Sequence, residues 1–321
     1  MILVLTAASD THADRVVEML TKRRADVVRF DPADFSSRAS ATFDAPDGTA
    51  GSVTISIPGG RTFDLDGVDH VWYRRPGQPN PGAEIHAEHR HDAQQQSAAF
   101  LDDLWSLAPG RWLPGAPSVL RRPGKLTHLR LAAALGFSTP ATLVTNEPGA
   151  FLDFYRRHDG QVISKLLGRS PINSAESAFA RYTELVEPWE VVEADAIRLG
   201  PVIFQQYVEK RVELRVTIVG HRVFAAAIDS QAAQHSRIDW RRYDRRNARI
   251  TEYRLGTPTE DRCRELMRQL GLSFAAIDLI VDREDRVVFV ELNPNGQYLW
   301  IEDATGMPIS EAIADHLEGK G

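Results

Sequence analysis

The sequence predicts a three-part protein of the mixed α/β class, in which α+β sheets follow an open α/β unit. Three observations predict it. The N-terminus is patterned as strand, helix and strand, the middle alternates short helices with short strands, and the last third carries several strand-like apolar runs that end in a hairpin. We therefore expect an N-terminal open α/β domain over 1–117, a small central α+β domain over 118–200 and a C-terminal domain with a mostly antiparallel sheet over 201–321.

Length and composition are those of a globular protein with ample core. The chain has 321 residues, of which 43% are hydrophobic and 26% are charged. The first strand has no basic flank or cleavage site, and no apolar run approaches membrane-spanning length, so we expect a cytoplasmic protein with no membrane partner. The net charge of −6 argues against general affinity for nucleic acid. The single cysteine, Cys263, excludes an intramolecular disulfide and a cysteine-rich zinc site.

The elements of the first domain follow from local patterns. ILVLT predicts a strand, residues 11–24 a helix and VVRF a second strand. VTISIPGGRTFDL predicts a hairpin and HVWYRR a further strand, while the polar segment 83–107 has helical spacing with Phe100 and three leucines on one side. The turn-rich passage APGRWLPGAPS then separates this domain from the next, and we place the boundary near Pro117.

The remaining elements are assigned in the same way. RRPGKLTHLRLAAALG predicts a helix that stops at Gly136, and a strand follows Pro140. A helix near 147–157 and the strand QVISKLL complete a small central α+β unit. The C-terminal domain then holds the strands PVIFQQYVE, VELRVTIVG and HRVFAAAIDS, a basic loop, a helix over 258–270 and the final hairpin. We place these strands in one mostly antiparallel sheet.

The final hairpin carries candidate metal ligands. Asp278 lies in the apolar run AIDLIV, a turn follows at 282–285, and VVFVELN returns as the partner strand with Glu291 and Asn293. Carboxylate and amide oxygens are the ligands that Mg²⁺ prefers, usually beside nucleotide phosphates. Carboxylates near strand ends are commonly only solvated, but both interrupt apolar strands, where an unpaired buried charge is costly. We therefore predict a magnesium site beside a nucleotide.

Two lysines and a hinge could hold that nucleotide. Lys125 begins the first central helix and Lys165 ends the QVIS strand, so each ammonium could meet a phosphate, although a solvated strand lysine needs no function. The segment FQQYVEKRVELR is patterned as a strand, a short extended hinge and a second strand. The main chain around Tyr207 and Val208 would be exposed in such a hinge and could pair with an adenine edge.

Side chains around the hinge extend this hypothesis. Gln206 could meet the adenine amino group, and Glu213 could accept hydrogen bonds from ribose hydroxyls. Arg215, on the same strand face as Glu213, could reach the transferred phosphate. An ordinary strand pair with a surface Glu and Arg in cross-strand contact would carry the same residues.

Taken in order, Lys125, Lys165, QQYVE, ELR, Asp278 and ELNPNG resemble the motifs of the ATP-grasp ligases. The resemblance runs from Lys125 to the C-terminus, and the N-terminal α/β domain agrees in type with a pre-ATP-grasp domain. It implies an ATP-grasp fold in which the two lysines contact the phosphates of ATP, the hinge holds adenine, and the Asp, Glu and Asn of the hairpin bind two Mg²⁺ ions. Two features depart from the family: the phosphate loop LLGRSPINSAE has little glycine, and Gln206 stands where many relatives carry Glu.

Four further motifs are more particular. VWYRRP at 71–76, SQ at Ser230, IDWR at 238–241 and ELNPNGQYLWIE at 291–302 resemble the ATP-grasp ribosomal peptide maturases, the graspetide synthetases related to the microviridin ligases. This resemblance implies a peptide macrocyclase: ATP would phosphorylate an Asp or Glu side chain of a ribosomally made precursor peptide. A Ser or Thr hydroxyl or a Lys amine would then displace phosphate, which gives an ω-ester or ω-amide ring, ADP and phosphate.

Arginines are the candidate groups for neutralising phosphate and binding the peptide. Arg215 and Arg241 are the candidate catalytic residues, the first facing the γ-phosphoryl group and the second within the basic loop SRIDWRRYDRRNAR. That loop could attract an acidic core peptide, with Arg241 as its best single candidate, although a charge run is more often a solvated face. Arg74 and Arg75 end an N-terminal strand and could bind the peptide from a shared cleft.

Other functions stay open at this point. A small-molecule amino-acid or dipeptide ligase of the same superfamily would release ADP with free amino acids, an ATP-grasp kinase would leave a stable phosphorylated product, and a non-catalytic peptide-binding protein would not turn over ATP. The expected partner is a precursor peptide with a leader and an acidic core that contains Ser or Thr. Relatives of this kind are often dimers, which leaves a homodimer open.

Overall fold

The structure, a computed structural model, describes residues 1–121, 124–167, 183–229 and 249–320. The strands within these ranges, numbered in chain order, are β1 (Ile2–Thr6), β2 (Val27–Phe30), β3 (Ser40–Asp44), β4 (Ser52–Ser56), β5 (Thr62–Asp64), β6 (His70–Arg75), β7 (Arg111–Leu113), β8 (Thr142–Thr145), β9 (Val162–Lys165), β10 (Glu184–Leu185), β11 (Val202–Gln206), β12 (Lys210–Val219), β13 (Arg222–Ile228), β14 (Ile250–Glu252), β15 (Phe274–Asp282) and β16 (Val287–Asn293).

The α-helices of the same ranges are α1 (Thr11–Lys22), α2 (Arg90–Leu107), α3 (Pro117–Leu120), α4 (Lys125–Ala134), α5 (Pro148–Arg157), α6 (Pro188–Val192), α7 (Thr257–Leu270), α8 (Leu299–Thr305) and α9 (Ile309–Leu317). Short 3₁₀ turns occupy Pro32–Asp34, Leu65–Gly67, Ala87–His89 and Ala194–Leu199. None of the described helices combines the length and the apolar composition that a membrane-spanning helix needs.

The N-terminal part has a parallel sheet in the order β2-β1-β6-β7. Every residue of β1 is buried, because the strand is central in a parallel sheet that is covered on both faces. Asp10 caps α1 by accepting the N–H of His12 at 3.1 Å. The predicted helix at 83–107 is shorter than expected: the N–H of Ile85 closes a turn on the carbonyl of Gly82, and α2 begins only at Arg90.

A second, antiparallel sheet in the order β3-β4-β5 covers part of this domain. Its β4–β5 pair is the hairpin predicted from VTISIPGGRTFDL, with Ile55 opposite Phe63. Both of these side chains are buried in one cluster with β1 and α2. Neither β3 nor β7 was predicted from the sequence, since each is short and lacks a run of apolar residues.

The central sheet has the order β10-β9-β11-β8, and it corrects one prediction. The segment PVIFQQYVE was assigned to the C-terminal sheet, which is wrong, because β11 lies between β9 and β8 and pairs antiparallel with both. Phe204 of β11 stacks on Phe151 of α5 with ring centroids 4.3 Å apart, in the central core. The passage between the two sheets is therefore the three-residue hinge 207–209.

The C-terminal sheet is antiparallel in the order β14-β13-β12-β15-β16, and it corrects a second prediction. The helix α4 was assigned to the central unit, but it packs on this sheet. Ala132 and Phe137 are buried among side chains of β15, β16 and α7, and the rings of Phe137 and Phe289 lie 5.7 Å apart. The N–H of Phe289 also donates to the carbonyl of Ser138 at 2.8 Å.

The N-terminal and C-terminal parts share a core. Side chains of α1, β1 and β6, among them Val16 and Trp72, are buried in one cluster with Phe274 and Ile313. At its edge, the Arg23 guanidinium forms ion pairs with carboxylates of the C-terminal segment, Asp315 at 2.8 Å and Glu318 at 2.7 Å. The first helix and the last helix thus hold the two ends of the chain together.

Candidate active site

A pocket lies where the central and C-terminal sheets face each other, and the hinge forms one wall. Seven of the predicted site residues line it: Lys165, Gln206, Tyr207, Val208, Glu213, Asp278 and Glu291. An adjoining pocket is lined by Lys125 together with Lys165 and Glu291. The structure therefore brings the candidate phosphate-binding lysines, the hinge and the two candidate metal carboxylates to one place.

A β-bulge sets the direction of the carboxylates. Asp278 pairs with Glu291, but the next residue, Leu279, pairs with Phe289, so that Val290 is an extra residue in β16. In a regular strand, Phe289 and Glu291 would face the same side, because side chains two apart in a strand do so. Because of the bulge, Phe289 is fully buried in the core while Glu291 faces the pocket.

Each carboxylate faces one cation. Asp278 Oδ1 accepts a hydrogen bond from Arg215 at 2.8 Å, and these residues are also direct cross-strand neighbours. Glu291 Oε1 lies 3.7 Å from Lys125 Nζ, which donates to the carbonyl of Leu166 at 2.9 Å. About 30% of each carboxylate side chain is exposed, whereas Arg215 is buried. Negative charge on two adjacent strands is thus kept near water and near two cationic groups.

This donor set fits a hard divalent cation that binds together with a nucleotide. Within the described ranges, no group of three or more His, Cys, Asp or Glu side chains could hold a metal ion. A site here would therefore combine the two carboxylates with an amide oxygen and phosphate oxygens, as Mg²⁺ does in nucleotide sites. Asn293 could supply the amide: its Oδ1 accepts the N–H of Asn295 at 3.0 Å, and a carbonyl oxygen has a second lone pair.

The hinge uses part of its backbone for the central sheet. The N–H of Gln206 donates to Ala141 at 2.9 Å, and that of Tyr207 donates to Gln161 at 2.8 Å. With these two donors used by the sheet, an adenine edge at the hinge would pair with Val208 and the carbonyl groups instead. Glu213 accepts from Lys210 Nζ at 2.7 Å, which orients the carboxylate that was predicted to meet ribose.

Four polar residues of the pockets were not predicted from the sequence. Lys210, Thr183 and Gln205 line the main pocket, and His128 lines the adjoining one. Lys210 begins β12, and its position before an alternating strand was its only signal. His128 is buried against β16, burial lowers its pKa, and it forms a hydrogen bond with the backbone of Leu292. A lone histidine on a helix carries no such information.

The two N-terminal arginines have different surroundings. The Arg74 side chain is fully buried and donates to the carbonyl of Asn295 at 2.5 Å, which corrects the prediction that it contacts the peptide. Alternation is interrupted here, because Leu5 pairs with Tyr73 and Thr6 with Arg75, which leaves Arg74 as an extra residue in β6. Its neighbour Arg75 is exposed, and its guanidinium lies 3.4 Å from the same carbonyl of Asn295. Arg75 lines a cleft between the N-terminal domain and α8, together with Ser9, Arg15 and Trp300.

Several predictions fall on residues that the structure does not describe. Arg241, Ser230, the motif IDWR and most of the basic loop lie in 230–248. The greater part of the phosphate loop lies in 168–182. The proposed roles of these segments stay predictions.

Comparison with known proteins agrees with this architecture. The family model for the MvdD pre-ATP-grasp domain matches residues 1–118. A ribosomal-peptide-associated ATP-grasp ligase from Chryseobacterium gregarium, solved with ADP and a leader and core peptide, is 30% identical. The match covers 100% of this chain and 97% of that one, with a TM-score of 0.92. A search of curated protein sequences gives no match.

Two enzymes from Microcystis aeruginosa are also similar. The macrocyclase MdnB is 31% identical over 98% of both chains, with a TM-score of 0.80. The macrocyclase MdnC, solved with the precursor peptide MdnA, is 26% identical over 100% of both chains, with a TM-score of 0.86. The chain therefore belongs to the ATP-grasp ligases associated with ribosomally made peptides, the graspetide synthetases, and is a ligase with the ATP-grasp fold.

Proposed function

We propose that this protein is an ATP- and Mg²⁺-dependent macrocyclase of a ribosomally made precursor peptide. The observation that carries the proposal is the pair of adjoining pockets that together hold both lysines, the hinge, Asp278 and Glu291, in a chain similar over its whole length to a ligase bound to ADP and peptide. The fold and the lysines alone would not identify the reaction, because enzymes with the ATP-grasp fold transfer to several kinds of acceptor group.

The proposed roles follow from position. Lys125 and Lys165 would contact the phosphates of ATP, the hinge would hold adenine, and Glu213 would bind ribose. Asp278, Glu291 and Asn293 would hold Mg²⁺, two ions by family resemblance, which when bound neutralises phosphate charge. Arg215 touches Asp278 and would add positive charge beside the transferred group.

The proposed reaction has two balanced steps. A carboxylate oxygen of a peptide Asp or Glu attacks the γ-phosphorus of ATP, the bond to the bridging oxygen breaks, and ADP leaves. A Ser or Thr hydroxyl, or a Lys amine, then attacks the acyl carbon, loses its proton and releases phosphate, which keeps the former carboxylate oxygen. The ester or amide closes a ring, and the enzyme contributes mainly positioning and charge neutralisation.

The cleft that Arg75 lines is the proposed place of the core peptide. The Arg75 guanidinium lies 3.4 Å from the carbonyl of Asn295, two residues after the metal candidate Asn293. Arg15 lines the same cleft, so two guanidinium groups border it, and guanidinium groups match carboxylates well. Together with Arg241 of the basic loop, they would hold an acidic core peptide near the γ-phosphoryl group.

Mass spectrometry of a precursor peptide tests the proposal. The peptide would be encoded by a short reading frame beside the gene, with Thr and Asp or Glu near its end. We expect loss of one water mass per ring, dependent on ATP and Mg²⁺, with no phosphate retained. If the Asp and Glu carboxylates are labelled with ¹⁸O, one label per ring should appear in the released phosphate; unlabelled phosphate would contradict the acyl-phosphate route.

The rival functions predict other products. An unchanged peptide with release of ADP in the presence of free amino acids or small amines would indicate a small-molecule ligase. A stable phosphopeptide would indicate a kinase, and binding of the peptide without ATP turnover would indicate a non-catalytic protein.

A further inference from the structure

One buried arginine of the N-terminal domain contacts the loop that follows the candidate metal ligand Asn293. Resting on the proposed function, we propose that Arg74 is a positioning residue for the metal ligands: it fastens the loop 294–297, which follows Asn293, to the N-terminal sheet. The residue would not touch the substrate or the metal itself. Its neighbour Arg75, which is exposed and lies 3.4 Å from the same Asn295 carbonyl, would bind the peptide.

The contacts of Arg74 join two domains. Its Nη1 donates to the carbonyl of Asn295 at 2.5 Å, and its Nε lies 3.5 Å from Oδ2 of Asp10. Asp10 is itself held, because its carboxylate also accepts from Thr6 Oγ1 at 2.8 Å and from the N–H of His12 at 3.1 Å. The guanidinium thus connects the end of β1 and the start of α1 with a loop of the C-terminal domain.

The loop that Arg74 contacts is also hydrogen-bonded to the candidate metal ligand Asn293 and to Arg215, the partner of Asp278. The N–H of Asn295 donates to Asn293 Oδ1 at 3.0 Å, so the position of Asn295 sets the direction of the amide. From the sheet side, Arg215 Nη2 donates to the carbonyl of Gln297 at 3.0 Å, while its Nη1 binds Asp278. A displacement of Asn295 would therefore shift Asn293 directly and Asp278 through Gln297 and Arg215.

Gly296 shows how tightly the loop lies on the sheet. A Cβ atom at this position would lie 2.2 Å from Ala276 Cβ and 2.8 Å from Arg215 Nη2, both too close for any real side chain. No larger residue fits unless the loop lifts from β15. The loop therefore lies directly on β15 at Gly296, and Arg74 contacts it one residue earlier, at Asn295.

Burial argues that this contact serves more than stability. Arginine is rarely buried, because removing its charge from water is costly, and an apolar residue of similar volume is often as stable in such a place. A planar guanidinium can reach a carboxylate and a carbonyl at the same time, which an ammonium does less well. Groups that orient metal ligands typically change metal affinity about 10-fold to 100-fold when they are replaced.

The test measures metal binding directly. Mn²⁺ binding to the full chain in the presence of ADP would be followed by electron paramagnetic resonance, and ADP binding without metal by calorimetry. Arg74→Lys and Gly296→Ala should each weaken Mn²⁺ binding at least about tenfold, with ADP binding within about twofold of wild type. The matched control is Arg61→Lys: Arg61 also joins a carboxylate, Asp26 at 2.6 Å, to a carbonyl, Val27 at 3.2 Å, but within the N-terminal domain. It should bind Mn²⁺ as the wild type does.

Each result decides the proposal. Wild-type Mn²⁺ affinity in Arg74→Lys overturns it, whatever the activity of the variant. If Arg74→Lys does not fold, Asp10→Asn keeps the arginine and the helix cap but neutralises its partner, and unchanged Mn²⁺ affinity there overturns the proposal equally. If the wild type binds no Mn²⁺ with ADP, the metal site itself is wrong. If the variants weaken Mn²⁺ binding as expected but the wild type cyclises no peptide, this inference stands and only the proposal of a macrocyclase is contradicted.

Discussion

The two candidate metal carboxylates are equally exposed, but the cation beside Asp278 is buried, whereas the cation beside Glu291 is partly exposed. Asp278 pairs with Arg215, of which 7% is exposed, whereas Glu291 lies 3.7 Å from Lys125, of which 31% is exposed. A buried cation that loses its partner is costly, while a half-exposed pair contributes little. We therefore expect replacement of either carboxylate to lower activity, but replacement of Asp278 to lower stability more than replacement of Glu291.

Conservative replacement of each carboxylate tests this difference. We expect Asp278→Asn and Glu291→Gln each to lower kcat about 100-fold or more, because metal charge is removed. Asp278→Asn should also lower the free energy of unfolding by about 1–2 kcal/mol, and Glu291→Gln by less than about 1 kcal/mol. Urea denaturation beside steady-state assays measures both effects. Full activity in both variants would contradict the metal assignment.

His12 makes stability depend on pH at the same junction. Burial, and then the charge of Arg74, lower its pKa from 6.5 to about 4; Arg75 acts in the same direction and Asp10 opposes it. Its ring also packs edge-on against Tyr298 at 4.8 Å. Between these two pKa values the unfolded chain binds more protons than the folded one, so stability is present above pH 6.5 and is lost as the pH falls toward 4.

The variant His12→Gln isolates this contribution. The wild type should lose about 2 kcal/mol more of its free energy of unfolding than the variant when the pH falls from 7 to 5, because a neutral amide has no proton to gain. Urea denaturation of both proteins at the two pH values measures the difference. Equal losses in both would show that His12 is not held neutral by its surroundings.

At the scale of elements, the bulge in β16 lets two side chains that are two residues apart face opposite sides of the sheet. Deleting Val290 would keep Glu291 opposite Asp278 and Phe289 opposite Leu279, so both side chains would keep their faces, but the bend that a bulge gives the strand would be lost. We expect the deletion variant to fold and to lose more than about tenfold in activity, because the Glu291 carboxylate shifts, whereas Val290→Ala, which keeps the bulge, should retain activity within about tenfold. A deletion variant with normal turnover would show that the bulge has no role.

The elements also show how far a sequence could be interpreted. The predicted hairpin β15–β16 and the hinge after β11 are confirmed, because apolar runs and their interruptions are local. The sheet to which β11 belongs was wrong, since an apolar strand pairs equally well with several partners. The predicted packing of α4 was wrong for the same reason, because its apolar face could have packed against either sheet.

The candidate site divides in the same way. The hairpin ligands, both lysines and the hinge were predicted from residue type and order. The structure brings Asp278, Glu291, Lys165 and the hinge to one pocket and Lys125 to the adjoining one, whereas Asn293 lines neither of these two pockets. Lys210 and the burial of Arg74 were not predicted. Lys210 reaches Glu213 only because a bulge lies between them in β12, and Arg74 is buried against the carbonyl of Asn295, which is far away in the chain.

At the scale of the whole molecule, the N-terminal domain shares its core with the C-terminal helices. Val16 and Trp72 pack in the same cluster as Ile309 and Ile313. We therefore expect a fragment of residues 1–117 to be poorly folded alone and to recover structure when it is mixed with 118–321. Amide hydrogen exchange of the separate and mixed fragments measures this. A fragment 1–117 with full protection by itself would show that the shared core is dispensable.

By itself, the sequence determined the chemical groups of this protein and their order: two lysines, a hinge, and a hairpin with two carboxylates and an amide, which are local patterns of period and residue type. Only the tertiary structure decided which of two adjacent arginines is buried, which sheet takes β11, and which face of β16 carries Glu291. The physical reason is that periodicity sets local conformation, whereas pairing, burial and ion-pair partners depend on surfaces far apart in the chain.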